Sequence, residues 1–322
     1  MFQRNLLIFL DNWLASDGRK PLILRGARQT GKTVAVKLFG ERFTHFVSLD
    51  LEREADRRIF ERSDGIEQVI QAIELAKGRS LREQDTLLFI DEIQNSPKAM
   101  GLLRFFHEDH PSLAVICAGS LLEAVMRREG MSFPVGRVQF AYLHPATFDE
   151  FLGALGEGRL LQALLDAAPQ RPPAPLVHDL ALKRFHEYLL VGGMPEAVAS
   201  YAGHRSLLAL AAIKDGLLTA YEEDVSKYAS TAEAKYAKFV IHQAPFAAGE
   251  RIAYEHFGNS GYRSREMRRA FDLLEYAMLV RRVRGSPATS PPVEPNHRVA
   301  PKLVFLDSGL VAHRRGLRDD AL

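Results

Sequence analysis

Short runs of consecutive apolar residues alternate with segments of helical periodicity through the first half of the chain. The runs fall at residues 22–24, 46–49, 87–90, 113–118 and 138–143. A strand buried on both faces shows no polar side, so it reads as a continuous apolar run rather than an alternation. This rhythm predicts an α/β fold with a parallel sheet flanked by helices. A helical stretch over residues 66–76 separates the second strand from the third, and residues 6–14, rich in Leu and Ile with Trp13, read as an amphipathic helix. The second half is helical, interrupted at Ala168-Pro169-Gln170-Arg171-Pro172-Pro173-Ala174-Pro175, a linker or long loop. A second proline-rich stretch, residues 285–295, contains Pro287, Pro291, Pro292 and Pro295, with Pro301 just beyond, and is expected to form an exposed, mobile loop.

Beyond residue 230 the order changes. Residues 232–242, 252–257 and 264–279 read as three helices, followed by strands at 279–283 and 302–306. That order suggests a winged helix-turn-helix. In the third helix Met267, Phe271, Leu274 and Met278 recur at spacings of four, three and four, which marks a buried face. At about 100 to 200 residues per domain, a chain of 322 residues has room for two or three domains. The expected division is residues 1–145, an α/β domain; 146–230, a helical lid; and 231–322, a winged-helix-like domain.

Charge narrows the function classes. Lys and Arg total 42 against 40 Asp and Glu, so no whole-molecule field draws the chain to nucleic acid or to an acidic surface, and any basic patch is local. The single cysteine, Cys117, lies inside an apolar run, which excludes an intramolecular disulfide and fits a reducing compartment. Asp11 and Asn12 end the N-terminal apolar run, and no stretch approaches the roughly 18 apolar residues of a spanning helix. A cytoplasmic protein without a membrane segment is expected. His107 and His110, three apart on one helix, read more readily as a solvated face than as a zinc site.

One segment carries specific chemistry. Gly26-Ala27-Arg28-Gln29-Thr30-Gly31-Lys32-Thr33 satisfies G-x-x-x-x-G-K-[ST], follows the first strand and opens a helix. Gly26 and Gly31 permit backbone conformations in which successive N–H groups converge on a phosphate, and the helix N-terminus adds partial positive charge. Lys32 supplies a cation to the β- and γ-phosphates, and the Thr33 hydroxyl is a ligand for Mg²⁺. Residues 26–33 therefore form a candidate P-loop for ATP.

The third strand ends in two carboxylates, Asp91 and Glu92. In P-loop enzymes the first such acid holds Mg²⁺, which assigns Asp91, and an adjacent glutamate can activate water for attack on the γ-phosphate, which makes Glu92 the candidate general base. A helix N-cap pair is the plain alternative. An inserted strand between loop and acids, residues 46–49, resembles the ATPase branch rather than small-molecule kinases. Ser120, at the tip of the fourth strand, stands where AAA-type ATPases place a polar sensor of the γ-phosphate; it also suits an N-cap for a helix over 121–128. Gly136-Arg137, ahead of the fifth strand, matches the position of a glycine-arginine pair in such ATPases, and Arg137 is a candidate arginine finger in trans or in cis, or else an ordinary surface arginine.

These segments, together with Leu143-His144-Pro145-Ala146-Thr147-Phe148-Asp149-Glu150-Phe151, resemble the prokaryotic AAA-domain ATPases that carry an uncharacterised C-terminal domain. Tyr188-Leu189-Leu190-Val191-Gly192-Gly193-Met194-Pro195-Glu196-Ala197 and Pro301-Lys302-Leu303-Val304-Phe305-Leu306-Asp307-Ser308-Gly309-Leu310 extend the resemblance into that domain. Gly192-Gly193-Met194-Pro195 is also similar to the glycine-proline signature of signal-transduction ATPases with numerous domains. That resemblance implies that Pro195 packs against adenine; locally, a proline opening a helix is an equally good account.

Seven arginines, Arg263, Arg265, Arg268, Arg269, Arg281, Arg282 and Arg284, crowd the third helix and the strand after it, against Glu266, Asp272 and Glu275. A basic third helix could contact DNA, chiefly through Arg263, Arg265, Arg268 and Arg269. Winged helices of this superclass also serve as regulatory elements, and arginines pair with acids on ordinary solvated faces. The sequence reading is thus a Mg²⁺-dependent, slow ATPase that works as a nucleotide-driven switch or regulator on a protein partner, cycling between ATP and ADP. A DNA-associated ATPase is the alternative, and a non-hydrolysing nucleotide-binding interaction module the second. Self-association is expected if Arg137 acts in trans.

Overall fold

In the computed structural model, which describes residues 2–120, 122, 125 and 136–317, the chain forms two compact units, Arg4–Leu143 and His144–Leu322 with the first three residues. The helix expected over 121–128 lies, but for residues 122 and 125, outside the described residues.

The N-terminal unit is a five-stranded, all-parallel sheet: β1 (Leu22–Arg25), β2 (His45–Asp50), β3 (Thr86–Asp91), β4 (Ala114–Gly119) and β5 (Gln139–Tyr142), in the order β2-β3-β4-β1-β5. Strand parity divides the core. Leu22, Leu24, Leu87, Phe89, Ile116 and Ala118 face helices α1 (Leu6–Leu14) and α2 (Lys32–Gly40), through Leu10, Trp13, Val36 and Phe39. Ile23, Val47, Leu49, Leu88, Ile90, Val115 and Cys117 face α3 (Glu54–Arg62), α4 (Ile66–Lys77) and α5 (Pro97–Asp109), through Phe60, Ile70, Leu103 and Phe106. Every residue of β3 and β4 is buried, which is why these strands read as unbroken apolar runs. Burial pushes the Cys117 thiol pKa up, leaving an inert core side chain.

The strand order determines where ligands can sit. From β1 the chain crosses to β2 at the far edge, while β4 and β5 flank β1 on either side. In open α/β sheets, crevices for ligands open beyond the carboxyl ends of the strands at such a switch point.

The second unit is largely helical, with a two-stranded antiparallel ribbon of β6 (Val280–Val283) and β7 (Lys302–Phe305). Helix Thr231–Gln243 packs on helix Ser264–Tyr276, whose Met267, Ala270, Phe271 and Leu274 are buried as the periodicity predicts. The helix expected over 252–257 is absent. Residues 249–252 instead run beside β7, with Gly249 N donating to Leu303 O at 2.7 Å, Leu303 N to Glu250 O at 2.9 Å and Ile252 N to Pro301 O at 3.0 Å. Only a short 3₁₀ turn, Phe257–Asn259, follows, and His256, Gly258 and Asn259 all take positive φ, which no right-handed helix tolerates. Residues 285–300 carry no regular structure beyond turns, and the proline-bearing stretch is exposed. Among the described residues no helix is long and apolar enough to cross a membrane.

Candidate active site

The phosphate-loop motif sits where β1 turns into α2. Gly31 adopts φ 93° and ψ 19°, left-handed values that disfavour a side chain, and Gln29 takes φ 64°. Gly26 is required for a different reason: a Cβ there would lie 2.3 Å from the Leu143 carbonyl oxygen. The loop is braced from within by Thr30, whose hydroxyl donates to Ala27 O at 2.9 Å. Arg4 braces it from outside, its Nη1 reaching Thr30 O at 3.1 Å. Arg4 is buried and belongs to the scaffold of the loop, a role the sequence did not announce. Lys32 is buried too, and its Nζ donates to the carbonyl oxygens of Gly26 and Ala27, both at 2.9 Å. The ammonium therefore crosses the mouth of the loop.

The acidic pair meets the loop directly. Thr33 Oγ1 donates to Asp91 Oδ2 at 2.6 Å, bridging 58 residues of sequence. Burial raises the Asp91 pKa, against the Thr33 hydroxyl, the Glu92 N–H and the Lys32 charge, which stabilise the ionised form. Thr33 and Asp91 thus present two hard oxygen donors side by side, a donor set that suits Mg²⁺.

Glu92 takes φ 50° and ψ 44°, left-handed values uncommon outside glycine, so its position costs backbone strain of the kind found at functional sites. Its carboxyl pKa is raised, first by burial and further by Asp91, while a hydrogen bond from Gln94 opposes the shift. Gln94 was not singled out in the sequence. Its amide nitrogen bonds the Glu92 carboxylate, and it is packed so tightly against Gly119 that a Cβ there would come 2.3 Å from Gln94 Oε1.

Ser120 is buried one residue beyond β4, at the same carboxyl edge of the sheet as Gly26, Asp91 and Glu92. Arg137 is elsewhere. It precedes β5, whose Gln139 lies opposite Leu22 at the start of β1, so it stands at the amino edge of the sheet, away from its own loop. There Arg137 Nε pairs with Glu108 at 2.7 Å, half-exposed. This placement removes the cis form of the arginine-finger expectation, since the two sheet edges are separated by the length of the strands. His110 pairs with Glu67 at 2.8 Å. Among the described residues no group of three or more His, Cys, Asp and Glu side chains could hold a metal ion.

Pro195 opens helix Pro195–His204 in the second unit, after the turn at Gly192 and Gly193. The arginines divide in two. Arg282 is locked by the carboxylates of Asp272, at 2.5 Å, and Glu275, and donates to the Tyr254 hydroxyl at 2.9 Å; Arg284 donates to Val299 O at 3.3 Å. Arg263, Arg265, Arg268 and Arg269 are exposed at the amino end of helix Ser264–Tyr276, with Arg268 stacked over Tyr254.

Residues 18–152 match the family model of an AAA domain, and residues 182–321 match a domain of unknown function, DUF8612. No curated protein matches. Among solved structures the chain is similar to the Walker-type ATPase Paby2304 of Pyrococcus abyssi, at 15% identity over 98% of this chain and 96% of that one, with a TM-score of 0.58. Looser likenesses are to PCH-2 of C. elegans (12% identity, 63% and 62% coverage, TM-score 0.35) and to the ORC1 protein of Aeropyrum pernix in complex with DNA (15%, 96% and 89%, 0.33).

Proposed function

We propose that the chain, whose residues 18–152 match an AAA domain, binds ATP with Mg²⁺, hydrolyses it slowly, and uses the cycle as a switch acting on a protein partner. The observation that carries this reading is the Thr33 hydroxyl on the Asp91 carboxylate, which joins the phosphate loop to the acidic strand at one point. Mg²⁺ held there would neutralise charge on the β- and γ-phosphate oxygens. The chain's own residues do the rest. The N–H groups of residues 26–33 and the start of α2 cradle the phosphates, and Lys32 leaves the Gly26 and Ala27 carbonyls for phosphate oxygens. Glu92, oriented by Gln94, takes a proton from the attacking water. Ser120 is the candidate sensor of the γ-phosphate at the same edge, and Arg137 at the opposite edge is a finger only for a second copy of the chain. Pro195 as the adenine contact rests on the family resemblance. Phosphate release from ATP with Mg²⁺, compared with the same preparation in excess EDTA, tests the reading; turnover that ignores the chelator would sink it.

The order of helix Thr231–Gln243, the segment 249–252, helix Ser264–Tyr276 and the β6-β7 ribbon supports a winged-helix-like reading, with a turn in place of the middle helix. The four exposed arginines favour, as a second reading, a DNA-associated ATPase, but Arg282 and Arg284 are spent inside the unit. The expected result is weak duplex binding that Arg268→Ala and Arg269→Ala leave unchanged. A tight affinity whose slope of log K against log[salt] falls by about one unit per arginine removed would establish the DNA reading instead.

A further inference from the structure

The two motif segments of the second unit, residues 192–195 and 307–310, are far apart in sequence and meet at one side chain. Asp307 is buried, and its Oδ2 accepts from Gly193 N at 2.6 Å while its Oδ1 accepts from Leu310 N at 2.9 Å, capping helix Ser308–Arg314. Three glycines make the contact possible. A Cβ on Gly192 would lie 2.2 Å from Asp307 Oδ1, one on Gly309 would lie 2.2 Å from Val191 O, and one on Gly193 would lie 2.2 Å from Ala146 O. Lys214, also buried, donates to Leu190 O at 2.6 Å just before the turn, and its charge opposes the pKa rise that burial imposes on Asp307. Gly and Asp in these motifs are therefore the parts of a clasp, which explains why the two segments carry those residue types.

The clasp is tied onward. Gly193 O accepts from Ala146 N at 2.6 Å, and Ala146 O accepts from the Tyr188 hydroxyl at 2.8 Å. Three residues before Ala146 in the chain stands Leu143, whose N donates to Arg25 O at 2.7 Å and whose carbonyl abuts Gly26, the first residue of the phosphate loop. Residues 143–146 are therefore the stretch of chain that joins Leu143, beside the phosphate loop, to Ala146, from which Gly193 and Asp307 are hydrogen-bonded in series.

We propose that Asp307 is a positioning residue that couples the phosphate loop to the C-terminal helix Ser308–Arg314, through residues 143–146 and the Gly192-Gly193 turn. The inference rests on the nucleotide-switch reading and names its route. Amide hydrogen exchange on the full chain, with and without a saturating non-hydrolysable ATP analogue and Mg²⁺, reads it. In the wild type the analogue should change exchange both in the phosphate loop and at residues 192–198 and 308–314. In Asp307→Ala the phosphate-loop change should persist, with the affinity for the analogue retained, while the change at 308–314 is lost. Asp307→Asn serves where the alanine variant folds poorly. One face of its amide is a donor, so it can accept from only one of Gly193 N and Leu310 N, and the distal change should be reduced. A distal change that survives both substitutions in folded protein would overturn the coupling by Asp307. A wild type that binds the analogue and shows no change beyond the N-terminal unit would instead overturn the switch reading, and the route with it.

Discussion

Lys32→Ala is expected to weaken ATP binding by about 10² to 10⁴-fold, because hydrogen bonds to charged groups are worth roughly 1.5–3 kcal/mol each and this ammonium is assigned two phosphates. The structure explains why no neighbour substitutes for it. Lys32 is buried at the mouth of the loop and already solvated by the Gly26 and Ala27 carbonyls at 2.9 Å, so its charge is held in place before any phosphate arrives. Arg4, the other buried cation near the loop, is committed to the Thr30 carbonyl. Titration of a fluorescent ATP analogue measures the effect directly. An affinity equal to the wild type would mean that the phosphates do not sit in residues 26–33.

Much of this was legible in the sequence for a physical reason. Strands β3 and β4, buried on both faces, are unmistakably apolar, and all five strands of the sheet fall within a residue or two of the runs that announced them. The phosphate loop was equally legible, because backbone convergence on a phosphate demands glycines at fixed offsets. What stayed hidden depends on contacts between residues distant in sequence or on unusual backbone angles. Helix α3 is so charged that only Asp56 and Phe60 are buried, and no apolar stripe marked it. Residues 252–257 had a helical look, but positive φ at His256 and Asn259 turned the chain; both residue types are enriched in that conformation without being confined to it. The arginine cluster looked like one basic surface until the fold drew Arg282 between Asp272 and Glu275. Arg4 and Gln94 support the candidate site through backbone and packing partners that only the folded chain brings near.

Glu92→Gln should leave ATP affinity close to the wild type and slow hydrolysis by a factor of about 100 or more, the usual contribution of a positioned general base. The isosteric amide keeps the shape and fits the strained left-handed backbone no worse, so a loss of rate with unchanged affinity points to the missing base rather than to collapse of the site. The pH profile adds a second signature. A base must be ionised to act, and burial holds the Glu92 carboxyl above its ordinary value of 4.5, with Asp91 adding to the rise. Turnover of the wild type should therefore fall on the acid side at a pH above that of an ordinary glutamate, and in the residual rate of Glu92→Gln only the part of this limb that belongs to Asp91, whose carboxyl burial also raises, should remain. Gln94→Leu should move the limb still higher, because the amide that favours the ionised carboxylate is gone. Single-turnover rates across the acid range measure all three. A Glu92→Gln protein that hydrolyses ATP at the wild-type rate would place the water-activating group elsewhere in the chain.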